Sequence, residues 1–223
     1  MDMHVQNHLS TLGTELIQKF CDINGIRRSP IHHPKQYDEN KSFAIYWNLN
    51  ACGFFLRPEL RTGIHASAAW GVFVMPDKCG IPARGNSPRM ISWPGGITDR
   101  TPYGVHVHEL GHYLDWYVSQ ESHTSSWAWY SSEVKHRSGE KPLTSYAAEN
   151  DGEWFAEAIR LFVTNPPLFK VLRPKTYSIL KERFNPGIHT RDWMCYLRNS
   201  NFELGSVPTS VLRSIYNRIS KET

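Results

Sequence analysis

At 223 residues the chain is long enough to bury a sizeable core as one domain and short for two. Its 40% hydrophobic and 21% charged residues are those of a globular protein, and a formal charge of +4, with Lys and Arg scattered, provides no basic stripe to argue for nucleic acid. Eight tryptophans, ten tyrosines and ten phenylalanines suit a packed core or a substrate groove equally well.

Residues 1–20 hold neither a long apolar run nor a small-residue cleavage site, so they are not a secretory signal. Leu9, Leu12, Leu16, Ile17 and Phe20 fall at helical spacing and predict an amphipathic first helix. No stretch approaches the length of a membrane span. Cys21, Cys52, Cys79 and Cys195 are far apart with no C-x-x-C pair, which predicts free thiols in a reducing compartment. A complete cytoplasmic product, or one carried by a virion or delivered into a host, is the expectation, with no membrane and no nucleic acid among its partners.

A polar turn region at 24–41, containing His32 and His33, precedes the β-type sequence. Phe43, Ile45 and Trp47 alternate with Ala44 and Tyr46, residues 52–56 form a second short apolar run, and 69–75 a third, stopped by Pro76. Residues 90–93 offer a fourth strand after a loop rich in Gly, Pro and Arg. From Thr101 the period changes to 3.6. Thr101 is a capping residue, Pro102 suits a first turn, and Val107, Leu110, Leu114 and Val118 make one apolar line to about residue 120. The polar stretch 121–145 predicts a long excursion or lid. A second strong helix is predicted at 150–164, stopped by Asn165-Pro166-Pro167, and the remainder carries shorter helical patterns.

The chemistry concentrates in His108-Glu109-Leu110-Gly111-His112. On a helix, residues four apart lie one turn above each other, so both imidazoles can reach one ion. Glu109 beside the first ligand can address a metal-activated water as general base. The bare pattern is short enough to arise by chance on a solvated helix; the capped helix start and the apolar line beside the histidines favour a built site. A third ligand would leave a fourth position open for water. Asp115 and Val118 stand where a metzincin would carry Gly and His, which excludes that arrangement. The better source is the second helix, where Glu153 and Glu157 lie one turn apart on one face, opposite Trp154, Ala158, Leu161 and Phe162. One can supply a ligand and the other can steady a ligand.

The H-E-L-G-H helix followed by Y-A-x-x-N-x-x-E-W-F-A-E-A resembles the catalytic domain of the anthrax lethal-factor-like gluzincins over residues 104–161. That resemblance implies a zincin-like fold and peptide-bond hydrolysis with one Zn²⁺ per chain. It points to Glu153 as the third ligand with His108 and His112, and to Tyr146 as the residue that stabilises the tetrahedral intermediate. Glu157 or Asp115 would hold a ligand imidazole by its other N–H, unless each is a solvated helix charge. An extended peptide or protein substrate is expected along an edge strand at Gly71, Val72 and Val74, where the glycine lets another backbone approach. His106, two residues before the first ligand and on another helix face, reads as a packing or hydrogen-bonded histidine, and His65, His123, His136 and His189 have no partner at ligand spacing.

The expected protein is α+β: a small mixed sheet, an active-site helix, a ligand helix and a helical tail. It forms one domain over 1–223, divided at about 1–100, 101–165 and 166–223. The alternative is a non-catalytic, zinc-stabilised structural or interaction module, possible also for a virus- or toxin-associated protein. Glu109 argues against it, because a purely structural site needs no general base.

Overall fold

The first helix, α1 (Met3–Ile23), buries Leu9, Leu16, Ile17 and Phe20 of the line its spacing predicts and leaves Leu12 half-buried. In this computed structural model the described residues are 3–32, 52–60, 70–76, 79, 102–123, 128–144 and 146–186. Gly25 ends α1 in the left-handed region (φ 61°). The Ile26 N–H then bonds the Cys21 carbonyl at 2.9 Å and the Gly25 N–H bonds Asp22 at 3.2 Å, closing orphan carbonyls in a Schellman arrangement.

Among the described residues three short strands follow: β1 (Ile31–His32), β2 (Gly53–Leu56) and β3 (Gly71–Val74). Their order is β1-β3-β2, with β1 parallel to β3 (Ile31 opposite Val72) and β2 antiparallel to it (Phe55 opposite Val72). The strand β3 therefore lies in the centre of this sheet, and all four of its residues are buried. This overturns the expectation of an open edge for substrate at Gly71, Val72 and Val74. Gly71 does permit a close backbone approach, but the chain uses it internally. Its φ is 134°, and a Cβ there would lie 2.3 Å from the Pro30 carbonyl oxygen. The strands expected around 43–47 and 90–93 lie outside the described residues.

Cys52 and Cys79 form a disulfide with their Cα atoms 4.8 Å apart, correcting the expectation of free thiols for this pair. It joins the start of β2 to the segment after β3; the 27-residue separation carries no pairing signal in sequence. Cys21 remains a buried thiol, and burial pushes it up to about 12, so it is unreactive near neutrality.

The long helix α2 (Pro102–Glu121) runs through the centre of the fold, packed on α1, on the sheet and on α4 (Asp151–Thr164). The residue expected to cap α2, Thr101, lies outside the described residues. Between these helices lies α3 (Trp129–Ser138), where the polar composition predicts a loop. Its own N-cap, Ala128, has no capping side chain. The caps come from α2 instead: Asp115 accepts from the Ser131 N–H at 2.8 Å and Ser119 from the Tyr130 N–H at 3.2 Å. The helix ends at Gly139, left-handed at φ 60°.

After α4, Asn165 ends one helix and α5 (Pro166–Leu172) begins at once, followed by α6 (Pro174–Lys181). The apolar faces of α1, β3, α2, α3, α4 and α6 share one core containing Phe20, Val72, Leu110, Tyr113, Val134, Phe155, Phe162 and Leu180. The protein is thus α+β with a small mixed sheet. Among the described residues no helix is long and apolar enough to cross a membrane.

Candidate metal centre

The centre is built where α2 and α4 touch. Gly111 permits the contact: a Cβ on it would lie 2.5 Å from the Ala156 Cα. His108 and His112 project from α2 with ring centroids 5.0 Å apart. Glu153 stands in the first turn of α4, fixed there by Asn150, whose side-chain oxygen accepts from the Glu153 N–H at 2.9 Å.

Oε2 of Glu153 lies 2.9 Å from Nε2 of His108 and 3.5 Å from Nε2 of His112. One ligand atom from each of these residues falls within 4.8 Å of the others, close enough for one metal ion. Donors around a tetrahedral ion with bonds of 2.0–2.1 Å stand roughly 3.3 Å apart, which the observed separations bracket. Two imidazole nitrogens and one carboxylate oxygen form a donor set that suits a first-row divalent metal. Among the described residues the group has three members, His108, His112 and Glu153.

His108 is held from both sides. Its Nδ1 lies 2.9 Å from Oε1 of Glu157, a fully buried carboxylate on the next turn of α4. Burial opposes protonation of this imidazole, but the flanking Glu153 and Glu157 push it up to about 10. Burial likewise opposes ionisation of both carboxylates. Contacts with His108 and His112 nevertheless hold Glu153 well below the usual range, and Arg160 with His108 holds Glu157 near 2. Arg160 donates to Glu157 from Nε to Oε1 at 3.1 Å and from Nη2 to Oε2 at 3.0 Å. Glu157 thus meets one of its two sequence readings, contact with a ligand imidazole. Asp115 meets neither: it is buried, and its hydrogen bond runs to Ser131 of α3 instead.

Glu109 is 6% exposed, and its Oε2 has no hydrogen-bond partner among the described residues. Its Oε1 passes 3.1 Å from where a Cβ on Gly53 would stand, so the start of β2 walls the carboxylate in. Burial pushes this carboxyl up, and the nearby His112 and His108 only partly offset it. Tyr146 opens the 3₁₀ turn Tyr146–Ala148, which the Thr144 hydroxyl caps by accepting from the Ala147 N–H at 2.9 Å. Its ring lies 5.5 Å from the His108 ring, tilted by 31°. Burial, and then the charges of Glu153 and Glu109, raise its phenol, which keeps it a hydrogen-bond donor.

Among the described residues the other histidines lie outside this group. His106 bridges α1 and α2 through Thr14 (3.3 Å) and the Pro102 carbonyl (2.6 Å). His32 stacks on Phe73, while His123 and His136 are exposed. His33, His65 and His189 lie outside the described residues. The residue that sequence reasoning missed is Arg160. Its signal was a charge three residues after Glu157, set in the buried stretch 154–164 of α4.

No family model matches the chain, and neither a curated protein nor a solved structure matches it.

Proposed function

We propose that this chain is a zinc-dependent peptidase of the gluzincin type, with a zincin-like fold, that hydrolyses peptide bonds in a peptide or protein substrate. His108, His112 and Glu153 hold the zinc. What carries the reading is Glu109: a buried carboxylate oxygen with no partner among the described residues, next in sequence to one proposed ligand and electrostatically close to all three. Leaving such a group unpaired costs a fold about 1–3 kcal/mol or more, so its retention needs a compensating use.

When bound, zinc supplies a Lewis acid that polarises a carbonyl and brings the pKa of a coordinated water to about 7. The chain's own groups do the rest. Glu109, whose burial raises its proton affinity, takes a proton from the attacking water and passes it to the leaving amine. Tyr146 keeps its phenol proton and donates a hydrogen bond to the oxyanion as it develops. Glu157 accepts from Nδ1 of His108 and so leaves Nε2 for the metal.

The competing reading is a zinc-stabilised module without catalysis. A closed structural site takes four protein ligands. The group among the described residues has three, which favours a site with room for water. The test is hydrolysis of a quenched-fluorescent peptide library by zinc-loaded protein beside chelator-treated protein. Metal-dependent cleavage is expected; a zinc-loaded protein that cleaves nothing across the library favours the non-catalytic module.

A further inference from the structure

Arg160 is among the largest fully buried side chains of the described residues, at 1% exposure, yet it carries a charge, which is costly to bury unless paired and hydrogen-bonded. It lies in the middle of α4, one turn beyond Glu157 and two beyond Glu153. Its guanidinium meets both oxygens of Glu157, from Nε at 3.1 Å and from Nη2 at 3.0 Å. The same Oε1 that receives Nε also faces Nδ1 of His108 at 2.9 Å.

Hydrogen-bond polarity gives this chain of contacts a direction. A guanidinium only donates, so each Glu157 oxygen faces it as an acceptor. Oε1 can then meet Nδ1 of His108 only if the imidazole carries its proton on that nitrogen. In the metal-free protein Nε2 donates as well, to Oε2 of Glu153 at 2.9 Å; a bound ion would displace that proton and take the Nε2 lone pair. We propose that Arg160 is a positioning residue for the metal centre: through Glu157 it sets the tautomer and the ring orientation of His108. This inference rests on His108 being a metal ligand, as proposed above.

A buried Glu–Arg pair could instead serve stability alone, and the test separates the two. Zinc affinity of the full chain is measured by competition with a chromophoric chelator for wild type, Arg160→Gln, Arg160→Lys, Glu157→Gln and the Glu157→Gln/Arg160→Gln double variant. The His108 tautomer in zinc-loaded protein is followed by ¹⁵N NMR of labelled histidine. Loss of a partner that orients a ligand typically weakens metal binding about 10- to 100-fold. Arg160→Gln is expected to fall in that range, with Arg160→Lys recovering part of the loss as a donor without the planar fork. The double variant should bind zinc no more weakly than Glu157→Gln alone, because Arg160 acts through Glu157.

If Arg160→Gln does not fold, Arg160→Lys decides: a loss of about threefold or more with a disturbed His108 resonance supports the role. Zinc affinity within twofold of wild type in the folded Arg160 variant, with the Nδ1–H tautomer intact, overturns it and leaves the metal site standing. A wild type that binds no zinc overturns the metal reading itself, and this inference with it.

Discussion

Gly111 of α2 and Ala156 of α4 meet where the two helices of the candidate metal centre touch, so closely that a Cβ on Gly111 would lie 2.5 Å from the Ala156 Cα. Real side-chain carbons do not approach backbone atoms so nearly, so any larger residue must part the helices. A mid-helix glycine costs about 0.5–1 kcal/mol relative to alanine, and here that cost is offset by the contact it permits. Gly111→Ala is expected to lower stability by about 1–3 kcal/mol despite its better helix propensity. It should also weaken zinc binding, because His108 and His112 would move away from Glu153. Denaturant titration and chelator competition check this; a variant more stable than wild type would mean the helices part at no cost.

Glu109→Gln preserves size and removes the proposed base. Hydrolysis is expected to fall by about 10²–10⁴-fold with zinc content unchanged, since general-base catalysis is typically of that size. A variant that loses its zinc but keeps activity would contradict the assigned role.

Tyr146→Phe removes one hydroxyl beside His108 and leaves the ring in place. If the phenol serves the oxyanion, kcat should fall by about 10²–10³-fold while KM changes little. An increase confined to KM would place Tyr146 in substrate binding instead.

Asp115 yields a prediction about stability. Burial raises its carboxyl to about 6, and the hydrogen bond from Ser131 only partly offsets this. Its folded pKa lies above the unfolded value of about 3.9, so its neutral form favours the fold. That contribution is full below about pH 4 and is lost as pH rises through 6. The shift of about two units corresponds to roughly 3 kcal/mol at most. Asp115→Asn keeps an acceptor for the Ser131 N–H and cannot ionise. The melting temperature of the variant relative to wild type is therefore expected to rise between pH 4 and 7. A difference independent of pH would show that Asp115 does not titrate in this window.

The helices that carry the candidate site were legible because their signals are local. His108 and His112 lie four apart beside an apolar line, and Asn150 marks the start of α4 three residues before Glu153. The helix α3 was not legible, because Asp115 and Ser119, its capping residues, belong to another helix. Nor was the position of β3. A run of Gly-Val-Phe-Val fits an edge or a centre equally, and only pairing with both β1 and β2 decides between them. The Cys52–Cys79 bond and the contact of Arg160 with Glu157 depend on which elements meet, a relation that spacing alone does not carry.

Metal content tests the central claim most directly. Purified wild type, His112→Ala, Glu153→Ala and Glu149→Ala, each supplied with zinc and then desalted, are compared by elemental analysis. Glu149 is exposed, outside the metal-ligand group and four residues before Glu153, ahead of the helix N-cap Asn150, so it serves as the control. The prediction is one zinc per chain in wild type and Glu149→Ala, and its loss in His112→Ala and Glu153→Ala. No zinc in the wild type would contradict the account, and loss in Glu149→Ala with retention in Glu153→Ala would move the third ligand to Glu149.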